Sequence, residues 1–369
     1  MNPGDGFLLV LNAGSSNLKF GVYRKSADAG WGLDARERIE GTGAAPLESL
    51  EAWLRSRYGG ARFLGIGHRV VHGGERFAGP AIVSPEVLAV LRGLVPLAPL
   101  HQPHNLAAID VMSERMPGVP QVACFDTSFH RGQPEVARLV PLPLEIRRRG
   151  VQRYGFHGLS CEYIASVLPE SAPEIASGRV VLAHLGSGSS LCALRAGQSI
   201  DDTLGFTALD GLCMGTRPGA LDPGIVLYLF QGLGLAAAEV EEILYKKSGL
   251  LGISGQSSDM RDLLGSDEPG AMLAVDYFVY RAARELGGLV AALRGIDGLV
   301  FTAGIGENSP EVRRRICEAS AWLGITLDAR ANEANGPRIS TLNSPVSAWV
   351  IATNEEAMIA RHTARLLQG

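Results

Sequence analysis

Two short segments of the chain are suited to holding a phosphate. Asn12-Ala-Gly-Ser-Ser-Asn-Leu-Lys19 and His184-Leu185-Gly186-Ser187-Gly188-Ser-Ser190 combine glycine, which lets backbone N–H groups approach an anion, with small side chains that add donors without bulk. The first is neither a Walker A loop, since Gly-Lys-Ser/Thr is missing, nor a dinucleotide fingerprint, since a strand rather than a helix is predicted to follow it. Cations complete the pattern. Seven of the eight histidines lie between His68 and His184, several beside arginine or glycine, as in His68-Arg69, His72-Gly73-Gly74 and Arg153-Tyr-Gly-Phe156-His157. Arg217 sits in the turn-like Met214-Gly-Thr-Arg-Pro-Gly. Two arginines and a histidine suit a transition state that spreads negative charge over phosphoryl oxygens, and a bidentate arginine also suits a carboxylate. Taken singly, each such arginine is more often a solvated surface residue and each histidine a satisfied core side chain. Their setting at glycine-flanked strand ends points to a site.

Carboxylates for a magnesium ion are offered by Asp126 in Phe125-Asp-Thr-Ser-Phe-His130 and by Glu355 in Thr353-Asn-Glu-Glu356, both after apolar runs. The alternative for Asn354 or Glu355 is a helix cap. A zinc site is not indicated: His68 and His72 flank a strand-like Arg-Val-Val, and HExxH is absent. Nor is a serine hydrolase, because Gly186-Ser-Gly-Ser-Ser lacks the last glycine of a nucleophile elbow.

The elements that must position these residues read as strand, turn, strand for Phe7–Leu11 and Leu18–Val22, with loops and one helix near Leu47–Tyr58 across 24–62. A strand is predicted over Gly67–Gly74 and helices near Pro85–Val95 and Asn105–Met116. Val180–Ala193 repeats the opening element: aligning Asn12 with His184 brings Gly14 onto Gly186 and Ser15 onto Ser187, as a duplicated domain would. A third glycine turn, Gly304-Ile305-Gly306-Glu307-Asn308, follows the strand Leu299–Thr302, and Ser309-Pro310 should start a helix. Before it, Met272, Val275, Val279, Ala282, Leu286, Leu289 and Leu293 form an apolar stripe that reads first as core and second as a dimer seam.

At 369 residues and 46% apolar content the chain should form two domains. A formal net charge of -4 argues against a nucleic-acid partner. Asp5 and the brief run Phe7–Leu11 do not make a secretory signal, and no stretch is long enough to span a bilayer. Five scattered cysteines without a CxxC pair fit reduced thiols and a cytoplasmic setting.

Together the motifs resemble the acetate kinase family, within the wider group of acetate and sugar kinases, Hsp70 and actin. The matching stretches run in family order through Leu11–Phe20, Gly67–Gly74, Leu97–Pro103, Phe125–His130, Arg153–Ser160, Ala183–Ser190, Gly205–Gly219, Ser257–Leu263, Phe301–Ser309 and Ala352–Ala360. The resemblance implies an α/β fold of duplicated actin-like (ribonuclease H-like) domains with an interdomain nucleotide cleft, here 1–127 plus 356–369 and 128–355, assembled as a homodimer. It implies phosphoryl transfer between ATP and acetate, with Mg2+ or a substituting Mn2+. Asn12 and Glu355 would serve the metal and Lys19 the nucleotide phosphates. Arg69 would hold the substrate, and Val71, Leu100 and Phe156 its methyl group. His157 and Arg217 would stabilise the transferring group, and Asp126 would be the acid or base. His184 to Gly188, Asp259-Met260-Arg261 and Gly304 to Asn308 would form the ATP site. Chemistry qualifies one of these roles. A carboxylic acid is already ionised at neutral pH, since model carboxyls titrate near ~4, so Asp126 is expected to position arginine or magnesium and the transfer to be direct and in line.

Three positions depart from the family pattern. Asn17 stands at a usual serine, Ser187 at a usual asparagine, and Ala208 at a common proline beside the acyl pocket, which should widen it towards propionate. A propionate or butyrate kinase is the alternative of the same fold; an Hsp70-like ATPase switch is the alternative of another class, one that needs no carboxylate-binding arginine.

Overall fold

The computed structural model describes residues 6–14, 17–26, 30–41 and 45–368. Asp5 and the Ser15-Ser16 pair of the first glycine segment lie outside these. The chain forms two compact units, Met1–Arg131 with Gly158–Tyr163 and Asn354–Gly369, and Gly132–His157 with Ile164–Thr353.

The first unit holds a six-stranded sheet of β1 (Phe7–Ala13), β2 (Asn17–Ser26), β3 (Gly30–Glu40), β4 (Phe63–Val70), β5 (Ala81–Ile82) and β6 (Gln121–Phe125), in the order β3-β2-β1-β4-β6-β5. β1, β2 and β3 are antiparallel neighbours, and β1, β4 and β6 are parallel. Alternation along β1 sends its side chains to two cores. Phe7, Leu9 and Leu11 pack with Leu50, Ala108 and Met112 from the helices Ala45–Tyr58 and Gln102–Arg115. Leu8 and Val10 pack with Met358, Ile359 and Ala364 from the helix Glu355–Gln368.

The second unit repeats the plan. β7 (Arg179–Leu185), β8 (Ser189–Arg195), β9 (Gln198–Asp202), β10 (Gly298–Thr302) and β11 (Ser347–Val350) lie in the order β11-β10-β7-β8-β9, with β7, β8 and β9 antiparallel and β7, β10 and β11 parallel. β1 and β7 therefore occupy equivalent places in equivalent sheets, which makes the fold a duplicated actin-like α/β fold. The apolar stripe of the helix Pro269–Leu293 is core: Val275, Val279, Ala282, Leu286, Leu289 and Leu293 are buried with Val181, Ala183 and Phe301 of the sheet, whereas Met272 is exposed.

Three expectations need correction. The region 24–62 carries the rest of β2 and all of β3 as well as the expected helix. β3 was hidden because most of it is exposed, so no apolar alternation marks it. The strand placed at Gly67–Gly74 spans Phe63–Val70. The glycine turn after β10 is a one-turn helix, Ala303–Asn308, followed as expected by Ser309 capping Val312 N at the head of Pro310–Ala319.

That one-turn helix begins under strain. Ala303 has φ 65, a left-handed conformation that costs a side-chain-bearing residue about 1–2 kcal/mol. Glycine would remove this cost but lose more chain entropy on folding. Ala303→Gly is therefore expected to stabilise the protein by about 0.5–1 kcal/mol, read from the midpoint of urea unfolding. A lower midpoint would contradict the strain.

Candidate active site

In the first unit the called residues gather where β1, β4 and β6 end, the sheet edge at which α/β folds bind ligands. Asn12 is the penultimate residue of β1, in register with Lys19 on β2. Arg69 lies near the end of β4, and Asp126 directly follows β6, its N–H donating to the Val70 carbonyl at 3.2 Å. Arg69 grips Asp126 as a fork: Nη2 donates to Oδ2 at 2.6 Å and Nε to Oδ2 and Oδ1 at 3.1 and 3.2 Å. Asp126 is 1% exposed and the Arg69 side chain 17%. Burial opposes the charge on Arg69, but Asp126 and then Glu355 outweigh it and push the guanidinium's pKa up. Burial pushes Asp126 up as well, against the pull of Arg69.

From this pair a network runs to the head of the helix Glu355–Gln368. Arg69 Nη1 donates to Asn12 Oδ1 at 3.3 Å, and Asn12 Nδ2 donates to Glu355 Oε2 at 3.0 Å and Glu356 Oε1 at 3.4 Å. Arg36 on β3 donates to Glu356 Oε2 at 3.0 Å. The cap of this helix is Asn354, whose Oδ1 accepts from Ala357 N, so Glu355 is not used as a cap. The Glu355 carboxylate is a hard oxygen donor of the kind magnesium takes, and Asn12 Oδ1, here accepting from Arg69, is a second such donor in the same network. Val71 is buried and held by Asn105, and Leu100 is half-buried. His68 and His72, set aside as metal ligands, are buried: His68 bonds Gln121, and His72 Nδ1 accepts from Gly74 N. Burial lowers both imidazoles to about 4.

In the second unit β7 delivers His184 and Leu185 to the loop Gly186–Gly188, which is closed by Gly186 N–H donating to Gly188 O at 3.1 Å and by Ser189 Oγ donating to Gly186 O at 2.9 Å. Leu185 belongs to the core, and Ser187 is exposed. His157 stacks on His184 with ring centroids 4.2 Å apart. Its backbone is left-handed, φ 54, immediately before the helix that starts at Gly158. Phe156 beside it is buried. Arg217 comes from a turn in which Met214 N–H donates to Arg217 O, and this turn is tied to the loop by Gly215 N–H donating to Ser187 O at 3.1 Å. Gly249 makes that close packing feasible: at φ +65, a Cβ on it would stand 2.1 Å from Met214 O. Arg217 Nη1 donates to Ala208 O at 2.7 Å. A Cβ placed on Gly188 would stand 2.7 Å from Arg217 Nη2 and 3.2 Å from His157 Nε2, so both side chains border the loop Gly186–Gly188.

The other called segments have structural duties as well. Glu307 Oε1 accepts from Ala303 N, Thr353 N and Thr302 Oγ1, and Asn308 Nδ2 donates to Gly304 O. Ile305 packs on the core, and Gly306 is buried. Asp259 caps Met260–Leu264 and pairs with exposed Arg261, and the Met260 side chain belongs to the core. Arg153 is taken up by Asp210 and the carbonyls of Asp202 and Leu204.

Sequence reading missed Arg36, Glu356, Ser190 and Arg313. Arg36 lies on the unrecognised β3. Glu356 carried a signal, its position beside Glu355. Ser190 Oγ bonds His157 Nδ1 at 2.9 Å. Arg313 is fully buried without a carboxylate partner among the described residues, satisfied by the carbonyls of Gly306, Glu307 and Asn332 and the side chains of Asn332 and Asn335. It thereby braces the one-turn helix after β10.

Comparison with known proteins bears on the chain as a whole. The Acetokinase family profile matches residues 55–361. The acetate kinase of Rhodopseudomonas palustris is 51% identical, and that of Nitrobacter hamburgensis 48%, with 98% of this chain and 98% and 96% of those proteins covered. Among solved structures, a propionate kinase from Francisella tularensis superposes with a TM-score of 0.88 at 34% identity, covering 98% of this chain and 99% of that one. The acetate kinase of Porphyromonas gingivalis gives 0.83 at 36%, covering 98% and 100%.

Proposed function

The chain belongs to the Acetokinase family, and we propose that it is an acetate kinase, moving a phosphoryl group reversibly between ATP and acetate to give acetyl phosphate and ADP. The observation that carries this reading is the buried Arg69–Asp126 fork. Asp126 is engaged in holding Arg69, which suits a positioning residue rather than a base, and a carboxylate acceptor needs no base. Arg69 then offers its remaining donor edge to the acetate carboxylate, next to Asn12 and Glu355. An ATPase switch would have no use for a substrate arginine built in this way.

ATP or ADP serves as co-substrate with a divalent metal. Asn12 Oδ1 and the Glu355 carboxylate would hold magnesium, or manganese in its place, and the ion would neutralise phosphate charge. Lys19, the His184–Gly188 loop, the Asp259–Arg261 cap and Gly304–Asn308 would hold the nucleotide. His157 and Arg217 donate to the oxygens of the transferring group, where charge spreads as the bond to ADP lengthens. Val71 and Leu100 of the first unit and Phe156 of the second are the apolar residues proposed to serve the methyl group. Transfer is direct, so a chiral γ-phosphate should arrive inverted; net retention would refute it.

A hydroxamate assay with ATP, magnesium and C2 to C4 acids tests the function. Acetate should be the best acceptor. Because Ala208 fills less space than proline, propionate should follow within the ~1–3 kcal/mol that one methylene commands. Equal efficiency for acetate and butyrate would refute the pocket, and no acyl phosphate from any acid would refute the kinase. Among the described residues no helix is long and apolar enough to cross a membrane. We place the enzyme in the cytoplasm, without nucleic-acid or membrane partners, on the charge and cysteine pattern. The helix Pro223–Gln231 supports a homodimer: none of its residues is buried, and Ile225, Leu227, Tyr228 and Phe230 are exposed. Light scattering should give twice the chain mass.

A further inference from the structure

Ser190 is buried on β8, and its cross-strand partner on β7 is His184, the ring on which His157 stacks. The two residues of one register pair thus form a seat for the His157 imidazole, one supplying a face and the other a hydrogen bond, Oγ to Nδ1 at 2.9 Å. Which atom carries the proton in that bond follows from counting donors. A hydroxyl has one proton to give, and burying it without an acceptor is costly. Among the described residues, Ser190 Oγ has one hydrogen-bond partner, His157 Nδ1. If Nδ1–H pointed at Oγ, the hydroxyl's own proton would have nowhere to go. If the hydroxyl donates to Nδ1, one bond satisfies it.

We propose that Ser190 is a positioning residue that fixes the tautomer of His157, keeping Nδ1 as acceptor and the proton on Nε2. Nε2 is the atom that borders Gly188 in company with Arg217 Nη2. The neutral imidazole therefore presents an N–H beside the guanidinium at the mouth of the loop, and it does so without first taking up a proton. The stacked His184 ring, tilted by only 18°, holds the imidazole plane that aims this N–H. What the N–H donates to, a phosphoryl oxygen in transfer, rests on the kinase reading above; the tautomer itself does not.

The test is a long-range proton–nitrogen correlation spectrum of the full chain labelled with 15N-histidine, at mildly alkaline pH. The His157 signals are identified by their loss in His157→Asn. The wild type should show protonated Nε2 and unprotonated Nδ1. In Ser190→Ala the pattern should relax to a mixture of tautomers, and kcat should fall about tenfold with the KM for ATP nearly unchanged. Ser190→Thr, which keeps the hydroxyl, should restore both. A wild-type spectrum with the proton on Nδ1 overturns the proposal whatever the activity, and so does an unchanged tautomer or full kcat in folded Ser190→Ala. Failure of the wild type to form acyl phosphate would instead count against the kinase reading, since the spectrum is read without turnover.

Discussion

Replacing Arg69 with methionine is expected to abolish acyl phosphate formation, by about 10³-fold or more in kcat/KM for acetate, and also to destabilise the fold. The two losses have separable causes. The first is the loss of the donor edge that would meet the acetate carboxylate. The second is that Asp126, 1% exposed, loses its counter-ion, and stripping one partner from a buried pair costs about 3–5 kcal/mol. Burial then acts on Asp126 without the opposing pull of Arg69 and holds its carboxyl further above the ordinary carboxylate range. A folded-state pKa raised above the unfolded one means that the folded state binds more protons, so stability is lost as pH rises through the folded value. The stability gap between wild type and Arg69→Met should therefore be smallest near pH ~4 and widen towards neutrality. Adding Asp126→Asn should recover most of the stability and none of the activity. Arg69→Lys keeps the charge but not the fork, and should retain stability better than turnover. Urea unfolding and the hydroxamate assay on the same four proteins check this. A methionine variant keeping more than about a tenth of wild-type kcat/KM would remove Arg69 from substrate binding.

Asp126 shows what kinds of information the chain carries openly. It was legible as an acidic residue at a strand end, and the expectation that it positions arginine came from solution chemistry alone, because an ionised acceptor asks for no base. Its partner was not legible, since nothing local says that a residue on β4 will reach one after β6. That contact comes from parallel pairing of β4 with β6, in which Arg69 stands opposite Cys124. The same limit hid Arg36. Its strand lies at the sheet edge, largely exposed, and sequence patterns report burial rather than pairing. Glu355 was singled out because its surroundings looked like a site, while adjacent Glu356, more deeply buried and tied to both Asn12 and Arg36, was passed over. The duplication could be read because glycine-rich turns constrain composition strongly: tight turns between strands tolerate few residue types, so two copies still look alike. Ser190 shares that loop's composition, but its function depends on where a distant histidine lands.

Arg217→Ala should lower kcat by about 10³-fold while leaving nucleotide affinity within a few-fold of wild type, because the role proposed for the guanidinium is to act on charge that develops during transfer. The anchoring of Arg217 makes a second, more diagnostic variant available. With Nη1 donated to Ala208 O at 2.7 Å, the guanidinium cannot swing freely, and Nη2 is held against Gly188. Gly188 does not have a positive φ, so alanine there meets no backbone strain, only contact. Its methyl would lie 2.7 Å from Arg217 Nη2 and 3.2 Å from His157 Nε2, and both donors must retreat together. Gly188→Ala should accordingly cost about 10²-fold in kcat with a normal urea midpoint. Because the methyl acts largely through Arg217, its effect should shrink once that side chain is gone. The double variant Gly188→Ala with Arg217→Ala should be only a few-fold slower than Arg217→Ala, the remainder being the displacement of His157. Fully multiplicative losses would mean that Gly188 and Arg217 act independently, and a fluorescent-nucleotide titration showing that Gly188→Ala weakens ATP binding as much as it slows turnover would assign the glycine to the nucleotide phosphates instead.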